Sequence, residues 1–299
     1  MKTMGETPKP PAQPGFVPAH TPITAPGATP ARWMLVLHGI LGSGANWRTF
    51  ILRLAAARPE WGFLLVDQRL HGRSQGAPPP HTIEAAAEDL IRLGASIPLP
   101  IAGVMGHSFG GKVALAYTAA VGHVLDETWV LDASPGARHD RSSSTEAVLG
   151  ALREVPQPLP SRERFFEIMA SRGYPRAFAE WLAMNLRHAD DGYRLRLDLD
   201  AVSALLDAYF STDLWPVLER AGHDGGPSEG PPSPPGHARA FHVVVAGRSD
   251  AFDAADRARL AALAERDPRV HAHLIAEAGH WVHVDAPAAL LALLSGALS

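Results

Sequence analysis

The sequence predicts an α/β protein: a mostly parallel sheet with helices on both faces and a helical block inserted between two of its strands. Three observations predict it. Short apolar runs alternate with helical patterns up to residue 136, the alternation stops across 140–215, and it resumes at 240 as strand, helix, strand, helix. The inserted block therefore belongs over the C-terminal edge of the sheet, where open α/β sheets bind their ligands.

In chain order, WMLVLHG at 33–39 reads as the first buried strand and NWRTFILRLAAARPE as the helix after it. GFLLVDQR at 62–69 and IEAAAEDLIRLGA repeat the pair. PIAGVMGHS then leads into a helix of small residues from Phe109 to about Val121, and TWVLDASPG at 128–136 is the next strand. Beyond the block come the strand AFHVVVAG at 240–247, the helix DAADRARLAALAERD, the strand VHAHLIAE and the helix PAALLALLSGAL. The expected units are thus a core over 32–136 and 240–299, a helical cap over 137–220, and a Gly/Pro-rich loop over 221–239. Residues 1–31, with eight prolines in the first thirty and no apolar signal core, are expected to be a disordered tail.

Composition narrows the function. With 46% hydrophobic and 19% charged residues the chain reads as a soluble globular protein, expected in the cytoplasm. A net charge of -4 without a basic stripe argues against nucleic acid as a partner. No apolar run reaches the roughly 18 to 20 residues of a membrane span. The absence of cysteine removes thiolate chemistry and cysteine-bound metal.

The stretch GHSFGG at 106–111 carries the chemistry. A serine hydroxyl is a weak nucleophile unless it is exposed, aimed, and given a base and an oxyanion site. A sharp strand-to-helix turn does the aiming, and it crowds strand against helix so closely that Gly106 and Gly110 have no room for side chains. Ser108 is therefore the candidate nucleophile. His280, in EAGHWVH just after the last strand, is the candidate base among 15 histidines because of where it falls along the sheet. The Phe109 amide, first of the helix, supplies one oxyanion donor, and the turn in LHGILGS supplies a second from Ile40. His283 and the alternating His271 and His273 could suggest a metal, but the two strand histidines lack clustered carboxylates and read as packing or surface residues, so no metal is expected.

LHGILGSGANW, DQRLHGRS, GHSFGGKVAL, VLDASPG and AGHWVHVDAP, in that order, resemble the α/β-hydrolase superfamily, and within it the small YbfF-type esterase branch. The resemblance implies an α/β-hydrolase fold with the cap after the sixth strand, and a cofactor-free serine hydrolase acting on small-molecule acyl esters or thioesters. It carries the nucleophile to Ser108, the base to His280 and the oxyanion donors to Ile40 and Phe109. It also implies that Asp67, Arg69 and Arg73 tie down a loop near the site mouth. Two aspartates fit the acid that orients His280. Asp250, in AGRSDAF, sits where most of the superfamily has it; Asp132, in VLDASPG, sits where the YbfF-type branch has it and is favoured. Other reactions of the fold, carbon–carbon bond hydrolysis or cofactor-free perhydrolysis, stay open, as does a small-ligand binding role. Thirteen large apolar residues of the cap, among them Phe165, Phe178, Trp181 and Tyr209, are expected to be divided between helix packing and the wall of an acyl pocket.

Overall fold

The computed structural model describes residues 15–138, 144–220 and 240–299. Seven strands form one sheet in the order β1-β3-β2-β4-β5-β8-β9. They are β1 (His20–Ile23), β2 (Arg32–Leu37), β3 (Trp61–Val66), β4 (Ile101–His107), β5 (Glu127–Leu131), β8 (Ala240–Ala246) and β9 (Val270–Ile275). All pairs are parallel except β1 with β3. This is the α/β-hydrolase fold. The central strands β3 and β4 are buried almost throughout, as strands covered on both faces must be. On one face lie α1 (Arg48–Ala57) and α11 (Pro287–Ala297), packed on Met34, Val36, Phe63 and Met105. On the other lie α2 (Ile83–Ser96) and α3 (Phe109–Val121), packed on Leu35, Leu37, Leu64 and Val104.

Three expectations are corrected. The tail is ordered from residue 15 onward, because His20–Ile23 joins the edge of the sheet, where Pro22 costs no ladder bond that the sheet needs. The expectation for residues 1–14 lies outside the described residues, as does the whole 221–239 loop. The cap, in turn, is not purely helical. Alongside α4 (Ser144–Arg153), α5 (Arg162–Ser171), α6 (Arg176–Leu182), α7 (Leu199–Ser211) and α8 (Trp215–Glu219), it contains a hairpin, β6 (Leu186–Ala189) with β7 (Gly192–Leu195). Its strands are four residues long and carry Arg187, His188 and Arg194, so no apolar alternation announces them. The insertion follows β5 and so comes after the fifth strand, not the expected sixth, since a single strand precedes β2.

The cap is fastened to the core behind the site. Lys112, on α3, is 1% exposed, and its ammonium donates to the carbonyls of Gly136 (2.8 Å), Tyr209 (2.5 Å) and Thr212 (2.8 Å). Two of these carbonyls lie at the C-terminal end of α7, where the helix dipole favours a cation.

Candidate active site

β4 ends at His107, and the chain turns into α3 through Ser108, whose backbone sits at φ 53° and ψ −120°. Such a conformation is strained for a residue with a Cβ and holds the side chain out of the turn. A Cβ at Gly106 would lie 1.9 Å from the Gly110 carbonyl oxygen, and one at Gly110 would lie 2.7 Å from that of His38. The two glycines are what allow strand and helix to cross at this distance.

His280, Ser108 and Asp132 come together from three parts of the chain. Ser108 Oγ is 3.0 Å from His280 Nε2, and His280 Nδ1 is 2.7 Å from Asp132 Oδ2. A carboxylate only accepts, so the imidazole proton sits on Nδ1 and Nε2 is left to receive the serine hydroxyl. Asp132 is fully buried at the end of β5, at φ 48°, and its other oxygen, Oδ1, accepts from the Ala246 amide at 3.0 Å. Asp250 lies elsewhere: it is exposed, and the contact it makes with Arg138 runs through its own backbone carbonyl. His107 adds a brace, donating from Nε2 to the His280 carbonyl at 2.7 Å. Burial holds the His107 imidazole well below its ordinary range, helped by neighbouring His280 and His283, so it stays neutral.

The turn after β2 carries Ile40. It is held in part by His71 and Asn185, which the sequence did not single out. The Leu41 amide donates to His71 Nε2 at 2.9 Å, while Asn185 of the cap donates to the Leu41 carbonyl at 2.8 Å. The Gln68 amide donates to His38 Nε2 at 3.0 Å, and the Gly44 amide to Asp67 Oδ1 at 2.8 Å. Arg73 Nε reaches Asp67 Oδ2 at 2.9 Å, and Arg69 pairs with buried Asp89 at 2.8 Å, so these two arginines and Asp67 anchor the DQRLHGRS segment. Among the described residues neither the Ile40 amide nor the Phe109 amide has an acceptor in the protein.

A cavity of about 340 Å³ opens over Ser108, bordered by Ile40 and His280. Its far wall is aromatic: Tyr174, Phe178 and Trp181 from the cap, and Trp281 beside the histidine, with Trp181 and Trp281 edge-on at 4.5 Å. Of the apolar cap residues expected to be shared between packing and pocket, Phe178 and Trp181 line it, whereas Phe165, Leu205 and Trp215 are buried in the cores. His283 also borders the cavity, its ring stacked on Trp47 at 4.0 Å. His271 and His273 lie on β9, stacked with His242, and His273 Nε2 is 3.0 Å from His242 Nδ1. Among the described residues no group of three or more His, Cys, Asp or Glu side chains is placed to hold a metal ion, and no helix is long and apolar enough to cross a membrane.

The profile of the Alpha/beta hydrolase family matches residues 34–293. The chain belongs to this family. Two relatives of this alpha/beta hydrolase are the sn-1-specific diacylglycerol lipase ABHD11 of Danio rerio, 24% identical over 85% of this chain and 74% of that protein, and Esterase YbfF of Escherichia coli K12, 26% identical over 86% and 89%. Among solved structures, a marine microorganism esterase superposes with a TM-score of 0.76 at 23% identity, over 95% of this hydrolase and all of that chain. Family and relatives together make the protein an enzyme of the hydrolase class.

The histidines around the site give the hydrolase a definite response to acid. Burial pushes His71 down to about 3, reinforced by the neighbouring His38, and pushes His283 down to about 4, reinforced by His280. Both therefore refuse a proton between about pH 6.5 and their folded values, whereas the unfolded chain accepts one, so stability is full above pH 6.5 and is lost as the pH falls below it. At pH 5 each contributes up to about 2 kcal/mol of loss. The melting temperature is expected to drop steadily from pH 7 to pH 5, before carboxylates begin to titrate. A flat profile across that interval would contradict the buried neutral state of these two rings.

Proposed function

We propose that the protein cleaves carboxylic ester or thioester bonds of small acyl substrates through an acyl-enzyme on Ser108. The observation that carries the reading is the hydrogen-bonded chain from Ser108 Oγ through His280 to Asp132, at 3.0 and 2.7 Å, on the floor of an apolar cavity. Ser108 attacks the acyl carbonyl carbon as His280 Nε2 takes its proton, and Asp132 holds the Nδ1 proton and stabilises the imidazolium that forms. The amides of Ile40 and Phe109, free of protein acceptors, receive the oxyanion. The imidazolium then protonates the departing alkoxide or thiolate. A water molecule, with His280 again as base, attacks the acyl-enzyme and releases the acid.

The aromatic wall formed by Tyr174, Phe178, Trp181 and Trp281 suits a hydrocarbon acyl chain, which gains about 0.8 kcal/mol for each methylene removed from water. The named lipase and esterase activities of the relatives fit the same bond class. No metal or cofactor enters this scheme, and chelators are expected to leave turnover unchanged.

The reading is tested with a fluorophosphonate probe followed by peptide mapping, alongside turnover of a series of p-nitrophenyl esters. Stoichiometric labelling of Ser108 together with ester turnover is the expected result. Labelling of a different serine, or turnover that survives full labelling, would overturn it.

A further inference from the structure

A second cavity, of about 250 Å³, borders the same turn as the first: Gly42, Asn46 and Trp47 line one, and Ser43, Gly44 and Ala45 line the other. Its wall is strongly basic. Arg48 comes from α1, Arg73 from the segment after β3, and Arg196 from the cap just beyond β7, and among the described residues Asp67 is the only carboxylate lining the cavity. Asp67 is already engaged. Its oxygens accept from the Gly44 amide and from the Nε and backbone N–H of Arg73.

Arg48 and Arg196 are left without a counter-ion among the described residues. Arg196 Nε is shut off from solvent with no hydrogen-bond partner, and its Nη1 reaches only the Gly72 carbonyl, at 3.5 Å. A half-buried guanidinium in that state is costly unless an anion completes it. Its planar fork of donors matches the oxygens of a phosphate. Two uncompensated positive charges on one cavity call for a dianion rather than a single carboxylate.

We propose that this cavity is a phosphate-binding site, in which a phosphate group is held between Arg48 of the core and Arg196 of the cap, with the Ser43 hydroxyl at its edge. The group belongs either to inorganic phosphate or to a phosphomonoester borne by the substrate. In both cases the bound anion bridges cap and core beside the turn that carries Ile40.

The test needs no turnover. Inorganic phosphate is titrated into the full chain by calorimetry and by thermal shift, with sodium chloride at matched ionic strength as the reference. Binding of phosphate with a rise in melting temperature beyond that in chloride is expected, and the affinity should fall at least tenfold in Arg48→Gln and in Arg196→Gln but not in Arg53→Gln, an exposed position elsewhere on α1. Arg48 is itself exposed, so Arg48→Gln remains informative even where Arg196→Gln folds poorly. A shift no larger than that in chloride, or one retained in Arg48→Gln, overturns the proposal.

A second arm, which rests on the ester-hydrolase reading, separates the two sources. A KM that rises in Arg196→Gln only for esters whose leaving alcohol carries a phosphate assigns the group to the substrate. A KM equal for phosphorylated and neutral esters, with phosphate binding intact in the wild type, assigns the site to the free anion.

Discussion

Ser108→Ala is expected to fold like the wild type and to lose at least about three orders of magnitude in kcat, the scale of loss when one member of a group acting as a unit is removed. The substitution is a clean probe because the strain at φ 53° comes from the presence of a Cβ, which alanine keeps. Only the hydroxyl goes, and with it the 3.0 Å contact to His280 Nε2. Substrate affinity should change little, since the cavity walls are untouched. The measurements are ester turnover, melting temperature and phosphonate labelling on the same preparation. Activity within tenfold of wild type at an unchanged melting temperature would remove Ser108 from the nucleophile's role.

The second large effect separates the two aspartates. In Asp132→Asn the side-chain amide is not free to choose its orientation, because the Ala246 amide requires an acceptor where Oδ1 now accepts at 3.0 Å. The carboxamide oxygen stays there, and its NH₂ must face His280 Nδ1, where only an acceptor serves. The imidazole is driven to the wrong tautomer, its proton on Nε2 and no lone pair left for Ser108, and kcat is expected to fall by roughly 10⁴. Asp250→Asn should stay within a few-fold of wild type, since residue 250 is exposed and its bond to Arg138 uses a backbone oxygen that the substitution keeps. The pair is measured side by side under saturating ester. A crippled Asp250→Asn with an active Asp132→Asn would reverse the assignment.

The sheet was legible because its strands are buried on both faces and write themselves as unbroken apolar runs, as WGFLLV and IAGVMGH do. The turn at Ser108 was legible for a different reason: its two glycines are demanded by contacts with residues only a few positions away or on the adjoining strand. What stayed hidden depends on distant partners. His71 and Asn185 hold the Leu41 turn across separations of 30 and 144 residues, and nothing local distinguishes them from any other surface-forming polar residue. The choice between Asp132 and Asp250 was open in the sequence because both follow strands that end on the same edge. What favours Asp132 is one hydrogen bond between residues 148 positions apart. β1 and the β6–β7 hairpin escaped notice because four-residue strands bearing proline or arginine have too little pattern to read.

The buried ammonium of Lys112 has a mechanical consequence. It acts as a rivet one helical turn behind Ser108, and lifting α7 from α3 would strip it of the Tyr209 and Thr212 carbonyls at once. Leaving a buried cation without two of its three acceptors is costly. The last turn of α7 is thereby tied to α3, and any parting of the two would first have to hydrate that cation.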